Sequence, residues 1–204
     1  MQTKTYAELF ALIQALCGVV FASIETPRIK ALINRRALRA YRATNYWPRF
    51  LKIGEQRTVA NSIVPFTESG LDSIDTFLRV HKQAPWITAS VQEYDIMVTA
   101  NGATLVSGDL DPSEAFVTYK SQLTDTYGDG AGETSAIPAE WYQYLAHGTY
   151  ADYLRAEGQQ EKAALADQEA EGLLQDELIR IDEQHTLQMV ANRIFTNANM
   201  QSRY

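Results

Sequence analysis

Cysteine is almost absent from this chain of 204 residues, which contains only Cys17. A single cysteine cannot form an internal disulfide bond, and it excludes a zinc site built from several thiolates. Cys17 lies within an apolar run, so we interpret it as a buried, inert thiol rather than a nucleophile.

Proline and glycine are also scarce, at six and eleven residues, whereas 46% of the residues are hydrophobic. This composition is typical of a globular protein. The only long apolar run, residues 9–24, contains Gln14 and is shorter than the roughly 20 apolar residues of a bilayer-spanning helix. Lys4 is the only early base, which disfavours a signal peptide. We therefore expect a buried helix here and no membrane partner.

Positive charge is in deficit overall, since the formal net charge is −7, but the charges are unevenly distributed. Between Arg28 and Arg57 there are nine basic residues and one acid, Glu55. Between Asp152 and Glu183 there are ten acids and three bases. This asymmetry favours contacts in which a basic surface of one helix or subunit meets an acidic surface of another.

Periodicity and turn residues predict four helices, at about 5–21, 27–44, 138–156 and 160–194. Short runs rich in β-branched and aromatic residues predict strands at 56–65, 76–82, 91–99, 103–107 and 114–120. Asn101 and Gly102 predict a two-residue hairpin turn. The predicted fold class is α+β, mainly α: a helical bundle with a long C-terminal helix and an inserted small antiparallel β domain.

This organisation divides the chain into five predicted parts. They are the N-terminal helices of the bundle (1–54), the inserted β domain (55–123), a connector (124–136), the C-terminal helical hairpin (137–195) and an extended tail (196–204).

Catalytic and metal-binding patterns are weak. Glu140 and His147 share a helix face but stand about 10 Å apart along the axis, too far for a direct hydrogen bond. No HExxH, GxSxG or P-loop pattern occurs in the chain. Acidic turns at 108–114 and 124–136 offer oxygen ligands but do not match the calcium-binding loop. We expect no enzyme activity, no cofactor and no metal.

Two helical surfaces are predicted to contact other subunits. Arg35, Arg36, Arg39 and Arg42 recur at three- and four-residue spacing, which suits phosphate contact or an acidic protein surface. The pI near 5.0 favours the protein surface. Large aromatic residues on adjacent stripes of the helix from Pro138 predict contact from more than one side. The predicted subunit-interface residues are Arg35, Arg36, Arg39, Arg42, Trp141, Tyr150, Tyr153, Glu169, Asp176 and Glu177.

Two segments resemble a known family. The segment "FVTYKSQLTDTYGDGAGETSAIPAEWYQYLAHGTYADYLRAEGQQEKA" is similar to the C-terminal half of head-to-tail adaptor (connector) proteins of tailed bacteriophages. There, an I-P-x-x-W/F helix start precedes an aromatic, alanine-rich helix and a GQ-x-E-K-A turn into a long acidic helix. The segment "INRRALRAYR" resembles the N-terminal helix of the same proteins.

The resemblance implies a non-enzymatic virion component of the neck, assembled in the host cytoplasm. It would form a ring, commonly dodecameric, below the portal, extend the DNA channel and provide a platform for tail proteins. Its partners would be its own copies, the portal protein and tail or nozzle proteins, while genomic double-stranded DNA passes without sequence readout. The C-terminal helix and tail would contact the portal, through His185, Met189, Ile194, Phe195, Met200 and Tyr204.

Two alternatives remain open at this stage. One is a related connector, such as a head-completion or tail-terminator protein. The other is a DNA-binding packaging accessory protein that uses the arginine-rich helix.

Overall fold

The computed structural model describes residues 3–86, 92–106, 112–124 and 136–201, and their side chains at 4–86, 92–106, 112–124 and 137–184. The helices are α1 (Tyr6–Cys17), α2 (Thr26–Ala43), α3 (Ala139–Ala156) and α4 (Gln160–Gln201). The strands are β1 (Thr3–Thr5), β2 (Leu51–Thr58), β3 (Ile63–Pro65), β4 (Ile74–His81), β5 (Asp95–Thr99), β6 (Gly102–Val106), β7 (Glu114–Ser121) and β8 (Ala136–Pro138).

The prediction of a mainly α fold is wrong. The described residues form four helices and eight strands in three antiparallel sheets, which is an α+β fold. The prediction of one small sheet missed β1 and β8, because a three-residue strand is too short to show alternation and these two pair across most of the chain. The inserted β domain was predicted to start at residue 55, whereas β2 begins at Leu51.

The chain divides into two compact units. The first, which we call the helical unit, comprises Met1–Thr44 and Thr124–His185. The second, the β unit, comprises Asn45–Leu123 together with Thr186–Tyr204.

The helical unit begins with a capping box, for which the sequence signal is a threonine, Thr5, followed three residues later by Glu8. The Thr5 hydroxyl accepts a hydrogen bond from the Glu8 amide, and the Glu8 carboxylate accepts one from the Thr5 amide. These contacts satisfy amides that a helix start leaves unpaired. β1 pairs with β8 immediately before α3, with Lys4 opposite Ile137. The two strands thereby join the start of α1 to the start of α3.

A shared core holds α1, α2 and α3 together. Its fully buried members include Leu9, Ile33, Trp141 and Leu145. Farther along, α4 buries one stripe, whose members are spaced three, four, four and seven residues apart: Ala163, Ala166, Ala170, Leu174 and Ile181. The small residues at its N-terminal end pack with Ala151 and Leu154 of α3.

The β unit contains two three-stranded sheets, with strand orders β2-β7-β4 and β3-β6-β5. The two sheets bury one common core, to which Val80 and Val117 belong from the first sheet and Val64 and Leu105 from the second. The runs of β-branched and aromatic residues that predict strands in this region therefore supply the core that the two sheets share.

The predicted hairpin joins β5 to β6, but its turn differs from the prediction. Thr99 lies opposite Gly102, so Ala100 and Asn101 form the loop and Gly102 opens β6. Gly102 has φ of +142°, and a Cβ there would lie 2.1 Å from the carbonyl oxygen of Val64. Glycine is therefore needed for close approach to β3 rather than for the turn itself.

Helix α4 continues to Gln201, although the sequence predicts an extended tail from residue 196. The segment from Leu173 onward contains neither proline nor glycine, so no residue interrupts the helix. None of the helices in the described part of the chain combines the length and the apolar character needed to cross a membrane.

Candidate functional site

The most concentrated group of charged side chains lies where α2, α3 and α4 meet in the helical unit. Its central residue is Arg36, whose side chain is only 4% exposed. Arg36 lies on the buried face of α2, beside Ile33, Ala37 and Ala40. A charge buried this deeply requires compensating partners.

Asp152 of α3 supplies the first partner. Arg36 Nε and Nη2 donate to the two carboxylate oxygens of Asp152, each at 2.9 Å. This is the bidentate geometry in which a guanidinium and a carboxylate bind most strongly. The Asp152 side chain is 2% exposed, so the pair is removed from solvent.

Two carboxylates from α4 extend the cluster. Arg36 Nη2 also donates to Asp167 Oδ1 at 2.7 Å. Arg36 Nη1 lies 3.5 Å from Glu171 Oε1. Asp167 and Glu171 are four residues apart, one helical turn, so both face α2. One arginine of α2 thus contacts carboxylates on both α3 and α4.

Three more exposed arginines surround this centre. Arg35 lies 2.7 Å from Asp152, and Arg39 lies 3.0 Å from Glu171. Arg155 contacts both Asp152, at 2.9 Å, and Asp167, at 3.1 Å. Asp152 therefore interacts with three guanidinium groups. We call the set Arg35, Arg36, Arg39, Arg155, Asp152, Asp167 and Glu171 the arginine–carboxylate cluster.

Gly148 makes room for the buried guanidinium. It lies one turn before Asp152 on α3, and a Cβ there would lie 3.1 Å from Arg36 Cδ and 3.2 Å from Arg36 Nε. Those distances are tighter than ordinary contacts, so a side chain at 148 would press on the arginine. The sequence places Gly148 and Asp152 on one helix line, which is the signal for this arrangement.

The cluster shifts the pKa values of its members in a consistent direction. Burial alone would raise the pKa of Asp152, but hydrogen bonds and charge from Arg36 and Arg35 outweigh it, and the pKa lies below its ordinary value. Burial also acts to raise the pKa of Asp167, but hydrogen bonds and charge from Arg36 and Arg155 lower it below its ordinary value. For Arg36, burial acts to lower the pKa, but its bonds to Asp152 and Asp167 raise it. All three groups are therefore held in their charged forms.

Positive charge exceeds negative charge at this site. The cluster contains four arginines and three carboxylates. Arg42, one turn beyond Arg39, is exposed and has no ion pair among the described residues. The surface beside the cluster therefore has an uncompensated positive charge.

A groove runs along this surface between α2 and α4. Its volume is about 590 Å³. We call it the arginine groove; its lining is Arg35, Leu38, Arg39, Arg42 and Ala43 of α2 with Glu171, Leu174, Gln175 and Leu178 of α4. Four of these nine lining residues are apolar, and three of the others are arginines. A smaller cavity of about 230 Å³ adjoins it at Arg35 and Arg39 and reaches Arg36.

The residues predicted at a subunit interface occupy different environments. Arg36 and Trp141 are buried within the chain. Tyr150 packs against the α3–α4 contact, and Tyr153 makes an edge-to-face contact with Phe21. Among the remaining predicted residues, Arg35, Arg39, Arg42, Glu169 and Asp176 are exposed, and Glu177 is partly buried. The exposed side chains are the ones that another subunit could reach.

The residues predicted to contact the portal lie outside the described side chains. They are His185, Met189, Ile194, Phe195, Met200 and Tyr204. The backbone at the first five of these belongs to α4, and Tyr204 lies beyond the described chain.

The two groups weighed as catalytic do not meet each other. His147 Nδ1 lies 3.4 Å from Glu169 Oε2 on α4, not from Glu140. Within the described ranges, no group of three or more histidine, cysteine or acidic side chains is arranged to hold a metal ion. The acidic turns at 108–114 and 124–136 fall mostly outside those ranges. Burial raises the pKa of Cys17 to about 11, which keeps the thiol protonated.

The β unit contains a second buried arginine, which sequence reasoning missed. Arg57 Nη2 donates to Glu55 Oε2 at 2.7 Å and to the Asp72 carbonyl at 2.5 Å. It also contacts the hydroxyl of Tyr119, and its guanidinium lies 4.8 Å from that ring. Burial raises the pKa of Tyr119, and the Glu55 carboxylate raises it further. A basic residue at an inward strand position was the available signal.

Exposed apolar side chains occur in both units. In the helical unit they are Val19, Val20, Ile24, Leu38, Leu165 and Ile179. In the β unit they are Ile53, Trp86, Met97, Val98 and Val106. Trp86 lies over Gly54, because a Cβ on that glycine would be 2.6 Å from its ring. Of these side chains, Trp86 is of the type that most often contributes large binding energies at protein interfaces.

Comparison of the chain with models of known protein families finds no match, and comparison with curated proteins finds no sequence match either.

Proposed function

We propose that the chain is a structural adaptor of a tailed-bacteriophage neck. It forms a ring below the portal, extends the DNA channel and gives tail proteins a surface to attach to. A related connector role, in head completion or tail termination, is the nearest alternative.

The observation that carries the proposal is the distribution of exposed apolar side chains over both compact units. Val20 and Ile24 protrude after α1, Leu165 and Ile179 protrude from α4, and Trp86 protrudes from the β unit. A component that joins neighbours on several sides needs several contact surfaces. Burial of large apolar side chains is the main source of affinity at such surfaces.

The sequence resemblance supports the same function. The segment that is similar to adaptor proteins covers β7, α3 and the first turns of α4. Gly158, with φ of +80°, turns the chain between the two helices. Helix α4 then extends for 42 residues, about 63 Å. A helix of that length is suited to contact more than one partner.

The internal ion pairs weigh against the DNA-binding alternative. Phosphate binding requires guanidinium groups that are free to exchange counterions. Arg35, Arg36 and Arg39 are already paired with carboxylates of α3 and α4. Of the four arginines first considered, Arg42 alone is unpaired among the described residues.

Image averaging of the purified protein tests the proposal most directly. We expect rings with cyclic symmetry, and co-purification with the portal protein encoded in the same genome. The absence of both would contradict the adaptor function. Retention on DNA that is lost with rising salt and with Arg42→Ala would instead favour the packaging accessory.

Removal of residues 185–204 tests the role of the C-terminal part of α4. We expect the truncated chain to fold, because it keeps the buried stripe of α4 from Ala163 to Ile181. It should no longer attach to the portal. Circular dichroism checks the fold, and co-sedimentation with portal rings checks attachment.

The control is the full-length chain with Arg28→Ser, which alters an exposed side chain outside α4. It should attach normally if the C-terminal residues carry the contact. Normal attachment of the truncated chain would refute the proposed portal contact.

A further inference from the structure

Helix α4 presents a second ordered face, opposite the stripe that it buries. Leu165, Gly172 and Ile179 recur at seven-residue intervals on this outward face. Leu165 and Ile179 are 69% and 56% exposed, and nothing lies within 4 Å of a Cβ placed on Gly172. The outward face is therefore open to a partner.

Acidic residues run beside this apolar line at the same interval. Glu169, Asp176 and Glu183 are also seven residues apart, and all three are exposed. Asp176 has no hydrogen bond or ion pair among the described residues. A seven-residue repeat keeps side chains on one side of a helix. The outward face is thus an apolar line flanked by a row of carboxylates.

The arginine groove has the complementary character. Its apolar lining includes Leu38, which is 40% exposed, and the partly buried Leu178, whereas Leu174 is only 3% exposed. Arg42 adds a positive charge that has no ion pair among the described residues, next to a cluster that already has more arginines than carboxylates. Exposed apolar side chains beside arginines suit an amphipathic helix that has an acidic side.

We propose that the arginine groove of one copy binds the outward face of α4 from a second copy of this chain. The segment from Asp176 to Glu183 occupies the groove. Ile179 packs against Leu38, and Asp176 pairs with Arg42. The proposal deepens the proposed function, since an adaptor that forms a ring must contact its own copies, and it names the surfaces that do so.

The two surfaces lie on different sides of α4, and this determines the type of assembly. Leu174 and Leu178 line the groove, whereas Leu165, Gly172 and Ile179 point outward, so one copy can use both surfaces at once. Such a contact is heterologous and propagates from copy to copy. A symmetric dimer would instead bury the same surface twice.

Charge reversal tests the pairing. Arg42→Glu and Asp176→Arg each place like charges opposite one another, so each should weaken self-association by about tenfold or more. The double variant, with both changes in one chain, restores opposite charges at every contact and should recover association. Sedimentation velocity of the full chain across a concentration series measures the effect.

Arg28→Glu is the matched control. Arg28 is an exposed base on the same helix but lies seven residues before Arg35, outside the groove. The Arg28→Glu substitution changes the net charge by the same amount as Arg42→Glu and should leave self-association unchanged. The proposal would be overturned if Arg28→Glu weakened self-association as much as Arg42→Glu does. It would also be overturned if the double variant associated as weakly as the single variants. A wild-type chain that stays monomeric would overturn it as well.

Cysteine cross-linking tests the contact without relying on charge. In a Cys17→Ser chain, Leu38→Cys mixed with a separate Ile179→Cys chain should give a disulfide-linked dimer under mild oxidation. Val20→Cys in place of Leu38→Cys should give far less product. Equal yields from the two mixtures would contradict a contact between Leu38 and Ile179.

Failure of this inference can be distinguished from failure of the proposed function. Rings that persist in Arg42→Glu and still bind the portal would reject these surfaces while supporting the adaptor. Self-association that follows the charge-reversal pattern without portal binding would support these surfaces and reject the adaptor. DNA binding lost in Arg42→Glu, with no self-association, would reject the second copy as the occupant of the groove.

Discussion

At the scale of single residues, Asp152 contacts three guanidinium groups, more than any other described carboxylate. It receives two hydrogen bonds from Arg36 and contacts Arg35 and Arg155 as well. Because Arg36 is buried, the loss of the carboxylate would leave a guanidinium without its main partner. The cost of an uncompensated buried charge exceeds the value of the pair itself.

Replacement of Asp152 by Asn should therefore destabilise the protein by roughly 3 kcal/mol. The amide keeps the size of the side chain but cannot neutralise Arg36. Urea unfolding of the full chain, followed by circular dichroism, measures the change. Asp95→Asn is the control, because that side chain is exposed and lies outside both the cluster and the proposed contact between copies, and it should change stability by less than about 0.5 kcal/mol.

A double variant keeps the test decisive if Asp152→Asn unfolds the chain. Arg36→Met with Asp152→Leu removes both charges and fills the space with apolar groups. It should be considerably more stable than the single variant. If the double variant were as unstable as Asp152→Asn, an unpaired buried charge could not be the cause.

The lowered pKa values of Asp152 and Asp167 predict a loss of stability in acid. Below the ordinary pKa of 3.8, the unfolded chain binds protons that the folded state does not, so the free energy of unfolding falls as pH falls. The urea midpoint, measured from about pH 6 to pH 2, should fall less steeply in Asp167→Asn than in wild type. Parallel curves for the two proteins would show that Asp167 does not contribute to the loss of stability in acid.

The sequence predicted only part of this site. The arginine repeat and the acidic helix were both visible, and their pairing was expected between helices or subunits. What the sequence could not show is that Arg36 lies on the buried face of α2. Helical position places Arg35 and Arg36 on adjacent faces, and only the packing of α3 at Gly148 decides which one is enclosed. Arg57 escaped notice for a similar reason, since burial of a strand arginine depends on distant Tyr119.

At the scale of secondary-structure elements, two helical glycines illustrate opposite constraints. Gly148 of α3 faces the Arg36 side chain, whereas a Cβ on Gly172 of α4 meets nothing within 4 Å. Both lie inside helices, where alanine is favoured over glycine by about 1 kcal/mol. Packing therefore decides whether alanine at each position stabilises or destabilises the protein.

Gly172→Ala should stabilise the protein by about 0.5–1 kcal/mol, because the helix gains propensity without a clash. Gly148→Ala should destabilise it, because Arg36 is held by two carboxylates and cannot move aside. Thermal unfolding of the two variants in the same buffer measures the difference. If both variants were more stable than wild type, the Arg36 side chain would be able to move away from a Cβ at position 148.

The elements themselves were predicted to different degrees. The strong helical periodicity and the capping box placed α1, α2 and α3 close to their observed starts. The five central strand runs lie in the region of β2 to β7. β1 and β8 could not be predicted, because three residues carry no periodic pattern and their pairing joins Lys4 to Ile137. The end of α4 was also missed, because Thr196, Asn197 and Asn199 are weak helix formers and the last residues show no apolar periodicity.

At the scale of the whole molecule, the chain enters and leaves the sheets of the β unit at one place. The Ser121 amide donates to the Phe50 carbonyl at 2.8 Å, so residues 50 and 121 are neighbours. The sheets between them share a core of their own. The insertion is therefore closed by its own strands.

Replacement of residues 51–120 by a short Gly-Ser linker should leave the helical unit folded. The helical signal in circular dichroism should persist, and Asp152→Asn should still destabilise the shortened chain, because the arginine–carboxylate cluster lies wholly in the helical unit. An unfolded product, or one insensitive to Asp152→Asn, would show that the helical unit depends on the β unit.

The pairing of β1 with β8 also has a consequence for synthesis on the ribosome. The first strand emerges more than 130 residues before its partner, and Arg36 emerges more than 110 residues before Asp152. The sheets of the β unit are complete once residue 121 has left the exit tunnel. We therefore expect the middle of the chain to fold first, while the N-terminal helices wait for α3 and α4 to be translated.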